Sequence, residues 1–191
     1  MKVAGSFCEH RAFKAETMEI LPDGTAHLHQ TMRGWYYLPF EEKPETSDWW
    51  KMDQSSRRKK LGPDMEIDVY VAPAECGIDI RVVTNGVQGA PWRVELAFSG
   101  IAYMASEHVM LPVNGSEVLV IKDRELEAYN EKDSLLIGPG FGEHRFTEGK
   151  EDSETKTPGA ATVYFTDYTD FDHTIRIRNR RDLEEKLLEE R

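Results

Sequence analysis

Apolar and polar residues alternate along most of the chain, and Gly, Pro, Asn and Asp break the alternation at short intervals. Met65-Glu-Ile-Asp-Val-Tyr-Val71 sets Met65, Ile67, Val69 and Val71 on one face, because successive strand side chains point to opposite sides. Residues 78–83 repeat the pattern and stop at Asn85-Gly86. In residues 92–98, Trp92, Val94, Leu96 and Phe98 share one face while Arg93 and Glu95 take the other. Residues 12–21, 25–32 and 35–38 alternate more loosely. Pro22-Asp23-Gly24 divides the first two as a hairpin turn. Further strands are expected at residues 101–104, 109–111, 117–121, 126–129, 135–137, 161–166 and 173–178. Only residues 181–191 carry helical spacing. There Leu183, Leu187 and Leu188 form a narrow apolar stripe, and Asp182 with Glu185 supplies a cap.

Closely spaced strands without helical crossovers predict an all-β fold. The architecture expected is a two-sheet antiparallel β-sandwich, of jelly-roll or super-sandwich type, with one short C-terminal helix. No repeat of 20–50 residues is visible, so residues 1–191 read as a single domain. Two stretches interrupt it: a long polar excursion at residues 41–63 and a charged, flexible loop at residues 148–159.

Composition narrows the function classes. The chain has 191 residues and a net charge of -11, which disfavours nucleic acid and anionic membrane surfaces as partners. Arg57-Arg-Lys-Lys60 is a local exception and reads as a solvated loop. The N-terminus lacks the apolar core of a signal peptide, and no run approaches a membrane span, so a soluble, cytoplasmic protein is expected. Cys8 and Cys76 are either two buried thiols or one disulfide. No G-x-S-x-G, H-E-x-x-H or C-x-x-C motif is present, and no cofactor is expected.

Candidate chemistry lies in three places. Asp133-Ser-Leu-Leu-Ile-Gly-Pro-Gly-Phe-Gly-Glu-His-Arg-Phe146 runs a strand into a glycine turn beside His144 and Arg145, a setting in which small molecules or metals are often held. His27-Leu-His29 places two imidazoles on one strand face, where a single ion can reach both rings; His144 would complete a metal set. The aromatic residues form the third group. Trp92, Trp35 and Tyr37 read as core. Trp49 and Trp50, in the polar excursion, are either loop anchors or platforms for sugar rings. The expected ligand-binding residues are Tyr36, Trp49, Trp50, His144 and Arg145.

Two families are resembled. The His27-Leu-His29 strand and the glycine turn ending in His144 resemble the two motifs of cupins, although Lys132 stands where that motif has glycine. That resemblance implies a metal-dependent enzyme or isomerase using His27, His29 and His144. Residues 65–179 resemble the β-sandwich that follows the helical toroid in heparinase II/III-like polysaccharide lyases. The likeness rests on the paired-strand rhythm, Val113-Asn-Gly-Ser-Glu-Val-Leu-Val120, the Asp133–His144 stretch and Tyr164-Phe-Thr-Asp-Tyr-Thr-Asp-Phe-Asp-His-Thr-Ile175. It implies a non-catalytic accessory sandwich that lines a sugar cleft or supports a lyase-like domain, since that family draws its catalytic Tyr, His and Asn/Arg largely from the toroid. The expected function is therefore a carbohydrate-associated module. A cupin-like metalloenzyme is the alternative, and a homodimerising structural sandwich is the third reading.

Overall fold

The computed structural model describes residues 13–106, 109–113, 118–142 and 159–189. Twelve strands and one α-helix form within them. β1 (Thr17–Ile20), β2 (Ala26–Tyr37), β3 (Lys59–Ala74) and β4 (Gly77–Asn85) make a meander. β5 (Pro91–Ser99) leaves for a second sheet, and β6 (Tyr103–Ser106) and β7 (Val109–Pro112) return to the first. β8 (Val118–Ile121) crosses again before β9 (Leu126–Tyr129) and β10 (Ser134–Gly138) come back. β11 (Ala160–Tyr168) lies in the second sheet, and β12 (Phe171–Asn179) in the first, followed by α1 (Arg180–Glu189).

The result is an all-β sandwich. The large sheet has the order β1-β2-β3-β4-β12-β10-β9-β6-β7, and the small one β5-β11-β8. Every pairing in the large sheet is antiparallel. β8 instead runs parallel to β11, which departs from the purely antiparallel pairing expected. Met32, Met65, Ile67 and Val82 of the large sheet pack with Trp92, Val94, Val163 and Phe165 of the small one. The apolar faces of residues 65–69 and 92–98 thus join one core as their alternation predicts. Trp92 is 1% exposed and meets Phe171 edge-on at 6.2 Å.

Several expectations need correction. Residues 35–38 are no separate strand: β2 runs through Gly34 to Tyr37, with a register shift between Arg33 and Trp35. β3 begins at Lys59, inside the stretch read as a polar excursion. In the basic run Arg58, Lys59 and Lys60 are exposed as expected, but Lys59 and Lys60 belong to β3 rather than a loop, and Arg57 is engaged. Arg57 Nε donates to the Leu38 carbonyl at 2.8 Å and Nη1 to Gln54 Oε1 at 3.1 Å. Its guanidinium also lies over the rings of Tyr37 and Phe40, at 4.9 and 5.1 Å. Lys59 and Lys60 pair within the β2–β3 ladder, opposite Tyr37 and Tyr36.

The helix is capped by Asn179, whose Oδ1 accepts from the Asp182 amide at 3.2 Å; Asp182 itself sits in the first turn. Of the apolar stripe, Leu183 is half-buried, while Leu187 and Leu188 are 52% and 69% exposed. Cys76 is a free thiol at the β3–β4 turn, and Cys8 lies outside the described residues. The charged loop at residues 148–159 also falls outside them, apart from Gly159. Among the described residues no helix is long and apolar enough to cross a membrane.

Candidate functional site

β2 carries His27 and His29 on the face of the large sheet turned away from the core, as the two-residue spacing requires. β3 places Asp68 opposite His29 and Tyr70 opposite His27, so carboxylates and imidazoles interleave. His27 Nε2 lies 2.7 Å and His29 Nδ1 2.9 Å from the same oxygen, Asp68 Oδ1. The other nitrogen of His27 meets Glu19 at 3.0 Å, and that of His29 meets Glu66 at 3.0 Å. The Tyr70 ring stacks on His27 at 4.5 Å, and Arg81, paired with Asp172, covers Tyr70 at 5.5 Å. A polar relay therefore crosses β1, β2, β3, β4 and β12.

The arrangement suits an ion-pair relay better than a metal centre. A metal-bound imidazole nitrogen presents a lone pair, whereas a nitrogen facing a carboxylate presents a proton. Among the described residues no group of three or more His, Cys, Asp or Glu is placed to hold a metal ion. His144, third in the cupin-like set, lies outside the described residues, as does Arg145.

The Glu19 carboxylate, and then that of Asp68, hold the His27 imidazolium above its ordinary range. Burial pushes the Asp68 carboxyl up, yet the hydrogen bonds from His27 and His29 together outweigh it and hold it below its usual range. A raised histidine stabilises the fold most below its unfolded value of about 6.5 and loses that contribution as pH rises through the folded value. A lowered aspartate contributes above about 3.9 and loses it as pH falls through its folded value. The relay is therefore strongest between about pH 4 and 6.5. Glu19 is well exposed, so the His27 contribution is at most about 1 kcal/mol, or roughly 2–4 °C in melting temperature. His27→Gln should lower the melting temperature at pH 6 and have a smaller effect at pH 8.5. An equal deficit at both values would show that His27 does not titrate in the fold.

The excursion between β2 and β3 contains two short 3-10 turns, Trp49–Lys51 and Gln54–Ser56. Asp48 Oδ1 accepts from the Trp50 amide at 3.2 Å, and Asp48 Oδ2 pairs with Lys51 Nζ at 3.1 Å. Asp53 caps the second turn by accepting from the Ser55 amide at 3.1 Å. With Arg57 closing the base, this loop has a defined shape, and it presents Trp50 at 90% exposure. Tyr36 stands in β2 opposite Lys60, and Trp49 on the first turn; the side chains of both lie outside the described ones. His27 and the tryptophan turn flank opposite ends of β2 and do not form one site.

The glycine turn after β10 has a structural role of its own. The Gly142 amide donates to the Lys122 carbonyl at 2.7 Å and the Gly140 amide to the Arg124 carbonyl at 3.1 Å. A Cβ at Gly140 would stand 2.5 Å from the Lys122 carbonyl oxygen. These glycines let two backbones approach closely.

A histidine missed by sequence reasoning packs on this turn. His173 of β12 stacks on Phe141 at 4.0 Å, its Nε2 is hydrogen-bonded to Asp167, and Phe171 lies beside it at 5.3 Å. With Lys122 and Asp123 it lines an open cleft of about 500 Å³. The signal was present: Phe171, His173, Ile175 and Ile177 alternate, so one imidazole interrupts an otherwise apolar face. Asp167 fixes the ring, which leaves Nδ1 as its remaining hydrogen-bonding atom.

No family model, no curated protein and no solved structure matches this chain.

Proposed function

We propose that the chain is a carbohydrate-binding β-sandwich module, with Trp50 as a stacking platform for a sugar ring. The observation that carries this reading is the 90% exposure of Trp50 on a capped turn. A large indole kept in water forgoes the ~25 cal/mol per Å² that burial would return. Its flat apolar face suits the C–H face of a pyranose, while Asp48, Lys51 and Asp53 nearby offer partners for hydroxyls. The turn is held by its own hydrogen bonds, so little ordering cost falls on binding. A net charge of -11 favours an uncharged glycan over a polyanion. The resemblance to the sandwich of heparinase II/III-like lyases supports carbohydrate as the ligand class without selecting an uncharged one.

A glycan array probed with wild type and Trp50→Ala tests the reading. The variant is expected to lose about tenfold or more in affinity. Its stability should stay within roughly 0.5 kcal/mol of wild type, as for other surface substitutions. Wild type binding no glycan on the array would reject the assignment.

A further inference from the structure

Beyond the imidazole relay, the outer face of the large sheet ends in a second cleft, of about 410 Å³. β9, the β9–β10 turn at residues 130–133 and the start of α1 line this open cleft. Tyr129 forms one wall and stacks on its cross-strand partner Tyr103, with ring centroids 5.5 Å apart and planes 20° from parallel. Tyr103 is 43% exposed, so this aromatic pair presents part of its surface to solvent. Arg180, from the start of α1, is held in place by Glu127 and Glu184. The Asn130 carboxamide accepts from the Lys132 and Asp133 amides at 2.8 and 3.1 Å, which fixes the turn that carries Lys132.

We propose that this cleft is a binding subsite for an uncharged oligosaccharide, an inference that rests on the carbohydrate reading above. Tyr129, backed by the Tyr103 ring, takes a ring face, and Arg180, Glu184 and Lys132 take hydroxyls. The volume falls within the range of small-molecule sites and leaves room for a sugar unit. Three cations against four carboxylates line it, so a polyanion gains no net attraction there. Guanidinium and carboxylate groups fixed in pairs offer donors and acceptors side by side, which matches the adjacent hydroxyls of a sugar. The ion pairs of Arg180 hold it before ligand arrives, which reduces the side-chain entropy lost on binding. An apolar peptide would need a greasy groove, and every residue lining this cleft apart from Tyr129 and Ala105 carries a charged or polar side chain.

Calorimetric titration of the full chain with cellohexaose, xylohexaose, mannohexaose and chitohexaose, and with a heparin hexasaccharide, tests the inference. At least one neutral probe should bind, and more tightly than the heparin probe. Tyr129→Ala should weaken that binding by about tenfold, and Lys132→Ala by a smaller factor with its melting temperature unchanged. Neutral binding that Trp50→Ala abolishes, but that Tyr129→Ala and Lys132→Ala leave intact, would overturn the cleft and spare the module. Preferential binding of the heparin probe would overturn the uncharged-ligand assignment. Failure of wild type to bind any probe would overturn the cleft together with the reading beneath it.

Discussion

Truncating Trp92 to alanine is expected to cost about 3–5 kcal/mol of stability, the range for losing a fully buried large aromatic. The side chain is 1% exposed and reaches from β5 in the small sheet to Phe171 in the large one. Removing it takes away apolar contact area and leaves a void between the sheets, which the flanking strands can close only by moving. For a chain of this length the cost corresponds to a fall of roughly 6–20 °C in melting temperature. Trp50→Ala belongs in the same experiment, because it makes the same chemical change on an exposed turn and should move the transition very little. A Trp92→Ala transition within a degree or two of wild type would mean that the two sheets are not packed face to face around this ring.

The two tryptophans also mark what could be read from sequence. Trp92 is legible because it alternates with Val94, Leu96 and Phe98, and a period of two on a half-buried strand leaves one face for the core. β3, β4 and β5 were recognisable on the same ground. β11 is a different case: seven successive positions, Ala160–Thr166, are buried. A strand covered on both faces shows no alternation, so the stretch was legible as a strand but not as the centre of its sheet. Its parallel partner β8 was equally hidden, because pairing direction depends on where the chain crosses between sheets rather than on local pattern.

Site residues were less legible, and for a related reason. His27 and His29 could be placed on one face from spacing alone. Their partners Asp68 and Glu66 come from a strand about 40 positions later, and register across a long connection cannot be counted from the sequence. Without those carboxylates, two imidazoles resemble metal ligands; with them, each ring faces a carboxylate at both nitrogens. Arg57 of the basic run misled in the same way. Its charge suggested solvation, while the Leu38 carbonyl and the Tyr37 and Phe40 rings that engage it arrive from the far side of the loop.

Gly140→Ala is expected to destabilise the protein by about 3 kcal/mol, the upper part of the usual overpacking range. The added methyl would lie 2.5 Å from the Lys122 carbonyl oxygen and 2.6 Å from the Ile121 carbonyl carbon, and backbone atoms cannot rotate away as a side-chain tip can. Gly140 does not occupy the left-handed backbone region, so alanine there adds a clash without conformational strain. The turn has no easy retreat. The Gly140 and Gly142 amides bind the Arg124 and Lys122 carbonyls on one side, and Phe141 packs against Phe165 and His173 on the other. Displacing it would break those hydrogen bonds and pull the Phe141 ring from His173, so the His173 imidazole resonances should shift along with a melting temperature lowered by roughly 6–12 °C. If the variant instead melts with wild type and its His173 resonances are unmoved, the Ile121–Glu125 backbone yields freely. Close packing would then not be what requires glycine in this turn, and the sequence-based reading of it as a place where a small molecule is held would regain its force.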